Sequence, residues 1–163
     1  MHFRNLAVGM SVVAVSIAIA AQAQTLVPVV GAYRLNVAKS TFGQGQPPQT
    51  QVRSFTDRGD GTFIYTNEGT NADGNPTYNS WTFKYDGLDY PTGYNAMTRT
   101  RNTVAYRVID PYSVEVVQKA NGKPNAVKNV RTISKDGKTM TYTTTGTNAQ
   151  GQAANSVLVF EKQ

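Results

Sequence analysis

The amino-acid sequence predicts an all-β domain, an antiparallel up-and-down meander of about 8–10 strands that closes into a barrel. Three observations carry this. Short segments with aromatic or β-branched residues at alternate positions recur roughly every ten residues. Turn signals separate them, among them Asp60-Gly61, Asp73-Gly74, Asn121-Gly122 and Asp136-Gly137. Beyond the first 23 residues no stretch shows the apolar period of a helix. Consecutive hairpins make a meander, and a long meander hides its edges by closing. A two-sheet sandwich is the second architecture the pattern admits.

Residues 1–23 read as a signal peptide. Arg4 supplies a positive lead, residues 6–21 are apolar or small, and Ala21-Gln22-Ala23 offers the small side chains that signal peptidase needs. The expected cut follows Ala23, which leaves residues 24–163 as one barrel domain in the periplasm or outside the cell. The alternative, an uncleaved anchor helix, is disfavoured because the apolar run is short and no charged stop-transfer flank follows it. The mature protein is therefore expected to have no membrane span.

The strands follow in order. Residues 31–37 place Tyr33, Leu35 and Val37 on one face, and a Gly/Gln/Pro loop covers 43–48. Residues 51–56 run to the Asp60-Gly61 turn. Residues 62–67 put Phe63 and Tyr65 on one side, and 78–85 align Trp81, Phe83 and Tyr85. Residues 86–93 read as a long turn, with Asp86, Asp89 and Pro91. Further strands are expected at 96–101, 103–109, 113–119, 127–134, 139–145 and 154–162. The Asp-Gly and Asn-Gly pairs predict tight hairpins, because both central residues tolerate positive φ.

The chain also contains an echo of itself. Gly69-Thr70-Asn71-Ala72-Asp73-Gly74 matches Gly146-Thr147-Asn148-Ala149-Gln150-Gly151 at five of six positions. Upstream, Val52-Arg53-Ser54-Phe55 resembles Val130-Arg131-Thr132-Ile133. Strand, turn, strand, turn and strand follow in the same order in both halves. That order favours a duplicated three-stranded unit over convergent turn chemistry.

Composition excludes several functions. The chain has no cysteine, and its one histidine, His2, leaves with the signal peptide. Triads built on histidine, and the common zinc, copper and haem ligand sets, are thus missing from the mature protein. No metal site and no cofactor are expected. Net charge is +6, and removing Arg4 leaves 15 basic and 10 acidic residues, a net +5. The basic residues form no stripe, so the charge reads as solubility, and nucleic acid is not an expected partner.

Most acidic residues fall in turns. Asp60, Asp73, Asp86 and Asp136 each precede glycine, and Asp110 precedes Pro111. A carboxylate hydrolase needs two acids facing each other across a cleft, and the remaining acids show no spacing that demands it. The loop at 86–91 lacks the oxygen-rich alternation of a calcium hand and reads as a structural turn. The strands at 96–101 and 139–145 do not supply the outward apolar band of an outer-membrane barrel.

The aromatic residues are the candidate binding surface. In a closed barrel one face of each strand points inward, and Tyr combines an apolar body with a polar tip. Tyr65, Trp81, Phe83, Tyr85, Tyr106 and Tyr142 are the candidate cavity wall. Whether each is core filling or cavity wall stays open at this level.

The segment Gly31-Ala32-Tyr33-Arg34-Leu35-Asn36-Val37-Ala38-Lys39-Ser40-Thr41-Phe42 resembles a group of small, secreted, lipocalin-like bacterial proteins, mostly of unknown function. The similarity continues at Ser134-Lys135-Asp136-Gly137-Lys138-Thr139 and at Val159-Phe160-Glu161-Lys162. The opening also looks like the lipocalin Gly-x-Trp, with Tyr33 in place of the tryptophan that plugs one barrel end. Lipocalins often pack a late basic residue over that ring, here Lys162 or Arg131. The resemblance implies a calycin-type barrel and a carrier of a small ligand, and supplies no catalytic residue.

The functional expectation is an exported, non-catalytic barrel for a small apolar or amphipathic molecule. Its rivals are a solid-core interaction module of the cell envelope and, third, a carboxylate-based hydrolase. An interior filled by the protein's own side chains would sink the first. An exposed aromatic patch at Tyr90, Pro91 and Tyr94 would favour the second.

Overall fold

A computed structural model describes residues 26, 29–147 and 151–163. The expected signal peptide and its cleavage point lie outside the described residues, as does part of the second echo turn. Eleven strands form one antiparallel sheet. They are β1 (Gly31–Leu35), β2 (Thr50–Asp57), β3 (Phe63–Thr70), β4 (Pro76–Phe83), β5 (Tyr90–Asn95), β6 (Thr100–Asp110), β7 (Ser113–Ala120), β8 (Lys123–Pro124), β9 (Val127–Ile133), β10 (Thr139–Gly146) and β11 (Ser156–Lys162). The hydrogen-bonded order is β4-β3-β2-β1-β11-β10-β9-β7-β6-β5, with β8 paired to β7. The first strand thus pairs with the last, through Tyr33 opposite Lys162 and Leu35 opposite Phe160. The wall is a nearly closed up-and-down barrel, interrupted only where β4 and β5 lie side by side without a ladder.

Local chemistry explains most boundaries. β1 ends at Leu35 because Asn36 caps a single 3₁₀ turn, its side chain accepting from the Lys39 amide at 3.1 Å. The expected strand therefore stops two residues short of Val37. Only Asn121-Gly122 forms the tight hairpin expected of such pairs, with φ of 50° and 77°. The Asp-Gly pairs sit in wider loops; at Asp73-Gly74 the cap is Asn71, which accepts from the amides of Asp73 and Asn75, and at the others the aspartate itself caps a following amide. Asp60 accepts from Thr62 and Asp136 from Lys138, and only the glycine is left-handed.

The largest departure lies at 86–101. The expected turn ends at residue 89, β5 runs from Tyr90 to Asn95, and the expected strand at 96–101 is mostly the β5–β6 turn. Pro91 and Gly93 argued against a strand, yet β5 is an edge that pairs only with β6, and its ladder slips between those two residues. An edge strand tolerates a residue without an amide proton.

The barrel has a closed and an open end. The closed end is packed by Phe63, Phe83, Val114, Ile133, Met140 and Phe160, all buried. Val29, 2 % exposed, and Leu26 pack against the same core from the segment before β1. Tyr33, 1 % exposed, donates its hydroxyl to the Gly137 carbonyl at 3.1 Å. Of the two basic residues expected over this ring, Lys162 places its Nζ 5.8 Å from the centroid. Burial raises the Tyr33 phenol, with Arg131 opposing.

Candidate functional site

The interior is layered. Read from the open end inward, the residues on the inner face change from amide to apolar on one strand after another. The series are Asn67, Tyr65, Phe63 on β3, then Asn79, Trp81, Phe83 on β4, and Gln118, Val116, Val114 on β7. Register aligns the layers, because Asn67 faces Asn79, Tyr65 faces Trp81 and Phe63 faces Phe83 across the β3–β4 ladder. Strand alternation of period two produces this arrangement wherever the amide is in phase with the aromatic residues.

The lower half is solid. Phe83 stacks on Tyr106 with centroids 4.0 Å apart, and Tyr85 meets Phe63, Phe83 and Tyr106 edge-on. The upper half holds a cavity of about 390 Å³ between Arg53, Asn67, Asn79, Asn102, Gln118 and neighbouring side chains, floored by Tyr65 and Trp81. It narrows into a pocket of about 60 Å³ between Phe55, Tyr106, Arg131 and Tyr142. Arg53, Tyr65, Trp81 and Gln118 line both spaces, so the two adjoin. A volume of this order suits a small ligand.

The structure divides the sequence-derived candidates by depth. Tyr65 and Trp81 line the main cavity, and Tyr106 and Tyr142 line the deeper pocket. Phe83, fully buried, and Tyr85 belong to the packed floor. Trp81 Nε1 donates to the Tyr106 hydroxyl at 3.3 Å, and the Tyr65 and Trp81 rings lie 4.3 Å apart. Burial pushes the Tyr142 phenol up to about 12, against the pull of Arg53, and raises Tyr65, Tyr85 and Tyr106. These hydroxyls stay protonated throughout the physiological range, and those of Tyr85 and Tyr106 accept from Arg131 and Trp81.

Two residues outside the aromatic set dominate the electrostatics. Arg131, 3 % exposed, donates from Nη2 to the Tyr85 hydroxyl at 2.6 Å, and its guanidinium faces the rings of Phe55, Tyr85 and Tyr106. Arg53 lies 4.6 Å over the rings of Tyr142 and Phe160. Arg131 Nη1 and Arg53 Nε are buried and have no hydrogen-bond partner. Among the described residues neither arginine meets a carboxylate, whereas Lys119 at the cavity wall is held by Asp89 at 2.7 Å. Cation–π contacts are worth about 1–2 kcal/mol each when desolvated. An unpaired buried charge loses several kcal/mol of hydration. Arg53 is half-buried and borders the cavity, whereas the rings alone leave the buried Arg131 undercompensated.

The amides carry their own energetic message. Gln51 donates to Asn67 at 2.8 Å, and Thr144 donates to Asn129 at 2.9 Å. The buried Thr103 hydroxyl and the Asn129 amide nitrogen have no partner. Stripping water from a carboxamide without replacing its hydrogen bonds costs about 1–3 kcal/mol, against about 0.8 kcal/mol gained per buried methylene. An alkyl chain laid along this layer would recover little.

Each Asp and Glu among the described residues is exposed or half-buried, and Asp60, Asp86 and Asp136 cap turns. Tyr90, Pro91 and Tyr94 do not make one aromatic patch. Tyr90 turns toward the core and donates to Asp86 at 2.7 Å, while Tyr94 is exposed. The Tyr90 phenol is pushed up to about 12 by desolvation and by Asp86.

No family model matches the chain, and no curated protein matches it in sequence. Solved structures do match. A point mutant of the fluorescent protein UnaG superposes with a TM-score of 0.57 at 17 % identity, covering 82 % of this chain and 95 % of that one. Wild-type UnaG gives 0.55 at 16 % identity, over 82 % and 96 %. The fold is a calycin-type barrel. At that identity the likeness concerns the path of the backbone and assigns no ligand. The calycin-type wall explains why the inward faces of β2 and β9, four strands apart, bring Arg53 and Arg131 into one interior.

Proposed function

We propose that this chain is an exported, non-catalytic binding barrel for a small amphipathic molecule. The molecule enters through the open end and brings an acidic group between Arg53 and Arg131. The observation that carries the reading is the pair of internal guanidiniums without a carboxylate partner among the described residues. An anion in the pocket that both arginines line would restore the missing charge, in hydrogen bonds stronger than neutral ones. The flat rings of Tyr65 and Trp81 would take the remainder of the ligand. Of the apolar and amphipathic ligands expected from sequence, the cavity supports the second, because its upper wall is amide. The solved barrels of similar fold are compatible with a ligand-holding interior. Export rests on the leader at 1–23.

The test is calorimetric titration with benzoate and with benzyl alcohol, which share a ring and differ in charge. The expected result is binding of benzoate at least tenfold tighter than the alcohol, a gap that Arg53→Met and Arg131→Met each reduce. Equal affinities for acid and alcohol would overturn the proposal.

A further inference from the structure

We infer that the amide layer above the arginines recognises a hydroxylated ring, so that the ligand is a sugar-type acid: a polyhydroxylated ring bearing one carboxylate. The inference rests on the anion reading above and adds the chemistry of the rest of the molecule.

Three observations support it. The first is the composition of the cavity wall. Asn67, Asn79, Asn102 and Gln118 line it. Each carboxamide offers donors and an acceptor in one plane, and a sugar hydroxyl is likewise both donor and acceptor. An aliphatic or purely aromatic acid would leave those groups without partners. The second is placement. Asn67 and Asn79 face each other across the β3–β4 ladder, one step above the facing pair Tyr65 and Trp81. A ring resting its C–H face on the aromatic floor thus meets amides around its rim. The third is the reach of the cation. Arg53 borders both the amide-lined cavity and the deeper pocket. A carboxylate on the ring would reach it while the hydroxyls stay in the wider space.

The purified protein would be titrated with glucuronate, galacturonate and N-acetylneuraminate, and in parallel with cyclohexanecarboxylate, methyl glucoside and laurate. Binding is read by calorimetry and by emission of Trp81, the single tryptophan of the chain. The expected result is that at least one sugar acid binds tenfold or more tightly than cyclohexanecarboxylate. Methyl glucoside, which lacks the acid, should bind at least tenfold more weakly than that sugar acid. Asn79→Leu and Asn102→Leu, each checked for a native circular-dichroism spectrum, should close the gap between sugar acid and carbocycle. If cyclohexanecarboxylate or laurate binds as tightly as every sugar acid, the hydroxyl reading is overturned and the anion reading stands. If no acid binds, or binding ignores Arg53→Met, both fall.

Discussion

Replacing Arg131 by methionine separates binding from stability. The variant loses a charge-assisted bond to the Tyr85 hydroxyl, worth about 1.5–3 kcal/mol. It also loses contacts with three aromatic rings, together about 2 kcal/mol once the packing of the methionine stem is credited. Against this, a guanidinium that is 3 % exposed and meets no carboxylate among the described residues no longer has to be dehydrated, a relief of several kcal/mol. The opposing contributions nearly cancel, so Arg131→Met is expected to unfold within about 1–2 kcal/mol of the parent. Its affinity for an aromatic carboxylate should fall tenfold or more. Urea denaturation followed by Trp81 emission gives the first quantity and calorimetry the second. A truncated partner of a satisfied structural network costs about 3–5 kcal/mol. A loss of that size with unchanged carboxylate binding would refute the assignment of Arg131 to the ligand and make it a structural keystone.

Other consequences can be checked separately. Phe83→Ala removes a fully buried ring from the floor and should cost about 3–5 kcal/mol, whereas Asn79→Ala at the exposed rim should stay within about 0.5 kcal/mol, both by denaturant melts. Gly69→Ala should destabilise by about 1–3 kcal/mol or shift the β2–β3 register seen by amide exchange, because a Cβ there would run into the Thr50 carbonyl. The Tyr142 phenol titrates near 10 in the unfolded chain and at about 12 when folded. The folded state therefore holds the proton longer, and stability present below pH 10 should be lost as pH rises toward 12. The loss attributable to Tyr142 is on the order of 3 kcal/mol, and Tyr142→Phe should flatten that limb of the stability profile.

The fold was legible because it depends on alternation and turn chemistry, which are local. Tyr33 and Leu35, Phe63 and Tyr65, Trp81 and Phe83 each announced an inward face, and all lie on one. Strand β5 was missed because Pro91 and Gly93 are legitimate turn residues, and only the edge position of the strand excuses them. The cavity-lining residues were half legible. Alternation gives the side of the wall and not the height along the barrel, so Phe83 in the floor and Trp81 in the cavity looked alike. Arg53 passed for scattered charge, and Arg131 was singled out only as a candidate for the basic residue over Tyr33. Their signal was phase, since Arg53 is two residues from Phe55 and Arg131 two from Ile133, both buried. A cation in step with a core face is placed inside by the pleat itself. The four-residue segments that resemble each other, 52–55 and 130–133, carry these two arginines, so the repeat supplies one internal cation from each half.

The pairing of the first strand with the last has a kinetic side. β11 is hydrogen-bonded to β1 on one side and to β10 on the other, and β4 and β5 share no ladder. Without β11 the molecule is two separate sheets, β1 to β4 and β5 to β10, each with two raw edges. The joint between them spans nearly the whole chain in sequence, and contacts of that separation form late. Until the final seven-residue strand docks, four edges stand open to pairing with other chains. Substitutions in residues 156–162 should therefore be felt first as aggregation during folding, before any loss appears in the finished barrel.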